Sequence, residues 1–118
     1  MRNKQDYKKI VEKFAEATEK SFAARLTGNW RENNKWVKRQ VKAFQQVIEA
    51  NNEAREELLT LLNHQNPVIA KSAAVFSLKY ATEQSIAILT RISKEPGILG
   101  FEAQQALERW KDGSWQLE

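Results

Sequence analysis

The sequence predicts an all-α protein: two long N-terminal helices followed by two helical hairpins. Three observations predict it. Apolar residues recur at steps of three and four through the first fifty positions, the spacing of one helical face. Only four glycines and two prolines interrupt 118 residues, too few breakers for many short strands joined by turns. Residues 53–111 contain an internal repeat whose unit is a pair of short helices. The expected organisation is a single domain, with two long helices in 1–51, two helical-hairpin repeats in 53–111 and a tail at 112–118.

The first helix is expected from Asp6 to Leu26, with Tyr7, Val11, Phe14, Thr18 and Phe22 along its core face and Asp6 at its start. Gly28 and Asn29 end it and open the second. That helix, Asn29 to Ala50, carries the ladder Trp30, Asn34, Val37, Val41, Phe44 and Ile48. At about 100° per residue, the ladder places Lys35, Lys38, Arg39 and Lys42 on the opposite side. Trp36 falls on a flank with Ala43 and Val47.

Beyond Asn51-Asn52 the segments shorten. Helices are predicted near 53–63, 67–79, 82–94 and 99–111. Asn66-Pro67 is a cap followed by proline at the first helical position. Thr82-Glu83 opens the next helix, Pro96-Gly97 breaks before the last, and Asp112-Gly113 stops it. The repeat is visible residue by residue. Leu59 and Leu62 recur 30 positions on as Leu89 and Ile92; Pro67, Ala74 and Leu78 recur 29 positions on as Pro96, Ala103 and Leu107. The lost residue falls in a loop. Small alanine permits a close helix crossing, and leucine one turn later fills the groove beside it. A lone hairpin cannot bury its apolar face, so such units stack. Trp110 is in step with Ala103, Ala106 and Leu107 and is expected in the core. Trp115 and Leu117 lie past Gly113, where they either fold back over the last hairpin or form a hydrophobic hook for a partner.

Composition narrows the function classes. Cysteine is absent, which excludes disulfides and thiol chemistry. The start, MRNKQDYKKI, lacks the apolar run of a signal peptide, and no stretch approaches the ~20 apolar residues of a membrane span. A cytoplasmic location without membrane contact is therefore expected. The only histidine, His64, sits at a helix end before Asn66-Pro67, so ordinary triads and zinc sites cannot be built. No Gly-rich phosphate loop and no Gly-x-Ser-x-Gly motif is present. Glu12, Glu16 and Glu19 share a helix side, but Lys8, Lys9, Lys13 and Lys20 interleave with them, the pattern of a solvated charged face. The expectation is a binding protein, without cofactor or metal, rather than an enzyme.

Charge is unevenly placed. Residues 1–50 hold 12 Lys/Arg and 6 Asp/Glu, a net +6, and residues 51–118 hold 7 and 9, a net −2. The stripe Lys35, Lys38, Arg39 and Lys42 is the best electrostatic candidate for a partner surface. It suits phosphates and equally an acidic protein face, and the bland alternative is four wet side chains. Trp36 beside it offers a surface for a base or an anchor for a protein. With Trp115, these five form the candidate partner-binding set.

Several stretches resemble a known family. They are Leu61-Leu62-Asn63-His64-Gln65-Asn66-Pro67-Val68, Ser72-Ala73-Ala74, Gly97-Ile98-Leu99-Gly100-Phe101-Glu102-Ala103 and Glu108-Arg109-Trp110-Lys111-Asp112-Gly113, with Gly28 and Asn34-Lys35 in the N-terminal half. Together they resemble a bacterial family of small HEAT-like helical-repeat domains, mostly of unknown function. The resemblance implies HEAT-like hairpins of the right-handed α-α superhelix type. Members of that family resemble immunity proteins of polymorphic toxins, including contact-dependent growth inhibition systems. The implied role is to bind a cognate toxin domain, often a nuclease, and block it by steric occlusion. Immunity proteins against basic nucleases are often acidic, whereas this chain is +4; either the toxin's face is acidic or the C-terminal half makes the contact. Two other readings stand beside it: a nucleic-acid-binding module using the basic stripe, and a scaffold or oligomerisation domain.

Overall fold

Both long N-terminal helices form, and all the shorter ones follow in the expected order. The computed structural model describes residues 4–115. It contains α1 (Lys4–Leu26), α2 (Trp30–Ala50), α3 (Asn52–Leu59), a 3-10 turn (Thr60–Asn63), α4 (Pro67–Ser77), α5 (Thr82–Ile92) and α6 (Gly97–Asp112). No strand occurs among the described residues, so the all-α expectation holds. The chain divides into two compact units, Met1–Thr60 and Leu61–Glu118.

In the first unit α1 and α2 run as a hairpin, and α3 packs on both. The turn between them is built by Gly28, which takes φ +74°, a conformation open to glycine at no steric cost. Its N–H donates to the Arg25 carbonyl at 3.2 Å, and the Asn29 N–H reaches back to Ala24 at 2.9 Å. This paired closure satisfies carbonyls that a helix end leaves free. Asn29 then caps α2, its side chain accepting from the Glu32 N–H at 3.2 Å. Asn51 repeats the device for α3 by accepting from Ala54 N–H at 3.0 Å, while its amide donates to the Tyr7 hydroxyl at 2.8 Å.

The core face of α1 is close to expectation: Tyr7, Val11, Phe14 and Thr18 are buried, with Ile10, Ala17, Ser21 and Ala24 beside them. Phe22 is only half-buried, lying under the Arg25 guanidinium at 5.4 Å. The core face of α2 departs from the predicted ladder. Asn33, Gln40, Ala43, Phe44 and Val47 are buried, whereas Trp30 is 62% exposed and Asn34 is exposed. Val37, Val41 and Ile48 lie at the margin. The true stripe is turned by about a quarter turn from the apolar one. The cause is polar pairing. Gln40 donates to the Thr18 hydroxyl at 2.7 Å, which donates to the Phe14 carbonyl at 2.8 Å. Asn33 accepts from Arg25 at 3.1 Å. These bonds satisfy polar groups whose burial would otherwise be costly.

In the second unit α4, α5 and α6 pack on one another. Asn66 caps α4 by accepting from Val68 N–H at 3.0 Å, with Pro67 at the first helical position. The predicted small residues Ala74 and Ala103 are wholly buried, and so are Ala70, Ala73, Leu78 and Leu89. Leu62 and Ile92 are buried too, whereas Leu59 and Leu107 are half-buried; Leu58 takes the buried place on α3. Lys71, buried on α4, pairs with Glu102 on α6 at 2.8 Å, the partner a buried cation needs. Thr82 opens α5 as expected, its hydroxyl donating to the Leu78 carbonyl at 2.6 Å. The last helix begins at Gly97, two residues before the expected start. Gly100 in its first turn lies against backbone: a Cβ there would sit 1.8 Å from the Glu95 carbonyl oxygen.

Trp110 is half-buried rather than core. It meets Trp115 edge to face, centroids 5.4 Å apart at 78°, because the Trp115 N–H turns back to the Arg109 carbonyl at 2.9 Å. Gly113, at φ +82°, makes that reversal possible. Leu117 lies outside the described residues.

Candidate partner-binding site

The basic stripe of α2 reaches solvent as expected. Lys35, Lys38, Arg39 and Lys42 are all exposed, and Trp36 among them is half-buried. The indole has gathered cations. Arg39 Cζ lies 4.5 Å from a ring centroid of Trp36, Lys20 Nζ from α1 lies 4.8 Å away and Lys35 Nζ 5.1 Å. Each contact is electrostatically favourable, worth ~0.5–1 kcal/mol at an exposed site. Together they concentrate like charge around one ring, and Glu32 pairs with Lys35 at 3.6 Å. With both side chains nearly half exposed, that pair is worth ~0–1 kcal/mol.

Beside the ring a groove of about 350 Å³ opens between α1 and α2. Ala17 and Ala43, 1% and 3% exposed, form its floor. Trp36 and Gln46 contribute walls, and Lys13, Glu16, Arg39 and Lys42 carry the charge around it. The small floor residues are what let α1 and α2 leave a recess without a large buried void. Three of the four charged liners are cations, so the groove is an attractive place for an anion.

Five of the six candidate residues are thus on one helix, and Trp36, Arg39 and Lys42 share the groove while Lys35 joins them at the indole. Lys38 stays exposed outside it. Trp115 belongs to a different cluster, in the second unit with Trp110. The contribution of α1 was not anticipated. Lys13, Glu16 and Lys20 were readable only as a solvated charged face; their step of three and four to one side of α1 was the available signal. Trp30 was missed differently. With Leu26, 58% exposed, it stands outward at the α1–α2 turn. Ile98 and Phe101, 40% and 60% exposed, stand outward on α6.

The remaining chemistry is local. His64 is exposed, and its Nδ1 accepts from the Asn66 N–H at 2.9 Å, shaping the turn before α4. Glu12, Glu16 and Glu19 are exposed on α1. No group of three His, Cys, Asp or Glu suited to a metal occurs among the described residues. Asp112 accepts from Ser114, from its hydroxyl at 2.6 Å and its N–H at 2.9 Å; these bonds hold its carboxyl below the ordinary carboxylate range. No helix among the described residues is long and apolar enough to cross a membrane.

The fold has a solved counterpart. The crystal structure of the protein RPA1889 from Rhodopseudomonas palustris CGA009 is similar to it, with a TM-score of 0.83 and 19% identity over 95% of this chain and 93% of that one. At that identity the likeness speaks for the fold alone. No protein-family model matches the chain, and no curated protein matches its sequence.

Proposed function

We propose that this chain is an immunity protein: it binds a cognate bacterial toxin domain in the cytoplasm and blocks it by occupying its surface, without turnover. The observation that carries the binding part of this reading is the exposed cationic face centred on Trp36. Tryptophan and arginine are the residue types that most often anchor protein interfaces, and here Trp36 and Arg39 touch on an exposed helix face. The toxin partner follows from the sequence resemblance. The cationic face supports an acidic partner surface, which fits a chain whose N-terminal half is +6.

Nucleic acid is the second reading, favoured by the cations that line the groove. Against it stands the indole. A nucleobase would have to displace Lys20, Lys35 or Arg39 to stack there. Salt separates the two, since phosphate binding falls steeply with ionic strength.

The test begins with capture by the tagged chain, in moderate salt after nuclease treatment, from the source bacterium. The captured domain's toxic activity is then titrated with purified chain. Loss of activity at one-to-one stoichiometry is expected; full activity under excess chain would remove the immunity reading. Lys38→Glu with Arg39→Glu is expected to abolish the complex at unchanged helical content. Unchanged affinity in that variant would take the basic face out of the interface.

A further inference from the structure

We infer that the α1–α2 groove is an anion site that seats a carboxylate side chain from an acidic protein segment, with Arg39 as its two-pronged donor. The inference deepens the immunity reading and rests on it for the identity of the partner, but not for the site.

Four observations converge on the groove. First, Arg39 is poised rather than used. Its Cζ lies 4.5 Å from a Trp36 ring centroid, and the planar guanidinium carries a fork of N–H groups that matches a bidentate acceptor. Second, positive charge is in excess around it: Lys13, Arg39 and Lys42 line the recess against one carboxylate, Glu16. Third, the recess has the size of a side-chain pocket. About 350 Å³ over Ala17 and Ala43 is at the low end of ligand sites, which run from roughly 300 to 1,000 Å³. Fourth, Gln46 adds a neutral amide to the lining, able to donate to an oxygen that Arg39 leaves free.

Carboxylate and phosphate share the chemistry that a guanidinium reads. The protein source is favoured because the aromatic partner of the site is already covered. Single-stranded nucleic acid gains much of its affinity from bases stacked on open aromatic rings, and three cations sit over this one. An acidic side chain needs no open ring. It needs the guanidinium edge, a second cation and a shallow recess, and Arg39, Lys42 and the alanine floor supply them.

The test is an NMR titration of the isotope-labelled full chain at fixed ionic strength. Three probes are compared: a blocked glutamate tetrapeptide, inorganic phosphate and a short oligothymidylate. The expected result is saturable shifts at the Trp36 indole and the Ala17, Ala43 and Gln46 amides with the peptide. Arg39→Lys keeps the charge and loses the fork, and is expected to weaken the peptide about tenfold. Absence of saturable shifts, equal affinity for phosphate or oligothymidylate, or an Arg39→Lys chain that binds the peptide unchanged would each overturn the site. A captured toxin domain that binds Arg39→Lys as tightly as wild type overturns the groove and leaves the immunity reading intact. A peptide that titrates the groove while no toxin is neutralised supports the groove and removes the immunity reading.

Discussion

Gly100→Ala places one methyl group where backbone already is. The new Cβ would lie 1.8 Å from the Glu95 carbonyl oxygen, 2.8 Å from the carbon of that carbonyl and 3.2 Å from the Ser93 oxygen. Ordinary contact begins near 3.4 Å, so the α5–α6 turn must retreat by more than an ångström. Two bonds resist the retreat: Glu95 N–H to the Ile92 carbonyl at 2.9 Å and Gln104 Nε2 to the Ser93 carbonyl at 2.9 Å. Ile92 is itself buried, so moving the turn disturbs the core. Overpacking of this kind costs ~1–3 kcal/mol, and loss of one turn bond adds about 1 kcal/mol. Alanine's better helix propensity returns about 1 kcal/mol. The net expectation is a loss of about 1–3 kcal/mol, or roughly 4–12 °C in Tm for a chain of this length. Gly113→Ala is the control: nothing lies within 4 Å of its Cβ, and only the left-handed φ penalty of ~1–2 kcal/mol applies. Far-UV circular dichroism melts of both variants decide the matter. A Gly100→Ala chain that melts at or above wild type would refute the close approach.

Thr18→Val removes the acceptor of Gln40 and leaves a buried amide unpaired, an expected loss of ~1–3 kcal/mol; a urea midpoint within error of wild type would contradict it. Ala74→Trp forces a large ring into a site with no exposed surface, and is expected to abolish the cooperative melt; a sharp, unshifted transition would show that α4 does not cross its neighbours closely. Asp112 is held below its ordinary range by Ser114, so its contribution is present above the unfolded carboxylate value of about 3.9 and fades as pH falls through the lower folded value. The Tm difference between wild type and Asp112→Ala should therefore shrink from neutral pH into strong acid; a difference that stays constant would rule out the ionised cap.

The helices were legible because breakers and caps stand where turns occur. Gly28, Asn66-Pro67 and Gly113 mark three ends by conformations or caps that few other residues supply. The close-packing alanines were legible for a related reason: Ala74 and Ala103 are both buried, each seven residues after a proline in the sequence. The facing of α2 was not legible. A hydropathy ladder counts Trp30 as core and Gln40 as surface, and the structure reverses both. Only the hydroxyl of Thr18, on another helix, makes Gln40 an interior residue. The candidate site was half legible for the same reason. The cations of α2 follow from one helix's own periodicity, but Lys20 over Trp36 and Lys13 beside the groove depend on how two helices meet.

The Gln40–Thr18 bond has a consequence for alignment. The α1–α2 seam is rich in small residues, including Ala17, Ser21, Ala24 and Ala43, and such a seam tolerates sliding by a helical turn, about 5.4 Å. An amide and a hydroxyl that must meet in the interior fix one setting, as lone buried polar residues do between coiled helices. A slip of one turn would carry Lys20 away from Trp36 and Lys13 away from Arg39. The buried pair thus acts as a register pin, and the spacing of charges at the surface is set by two uncharged side chains beneath it.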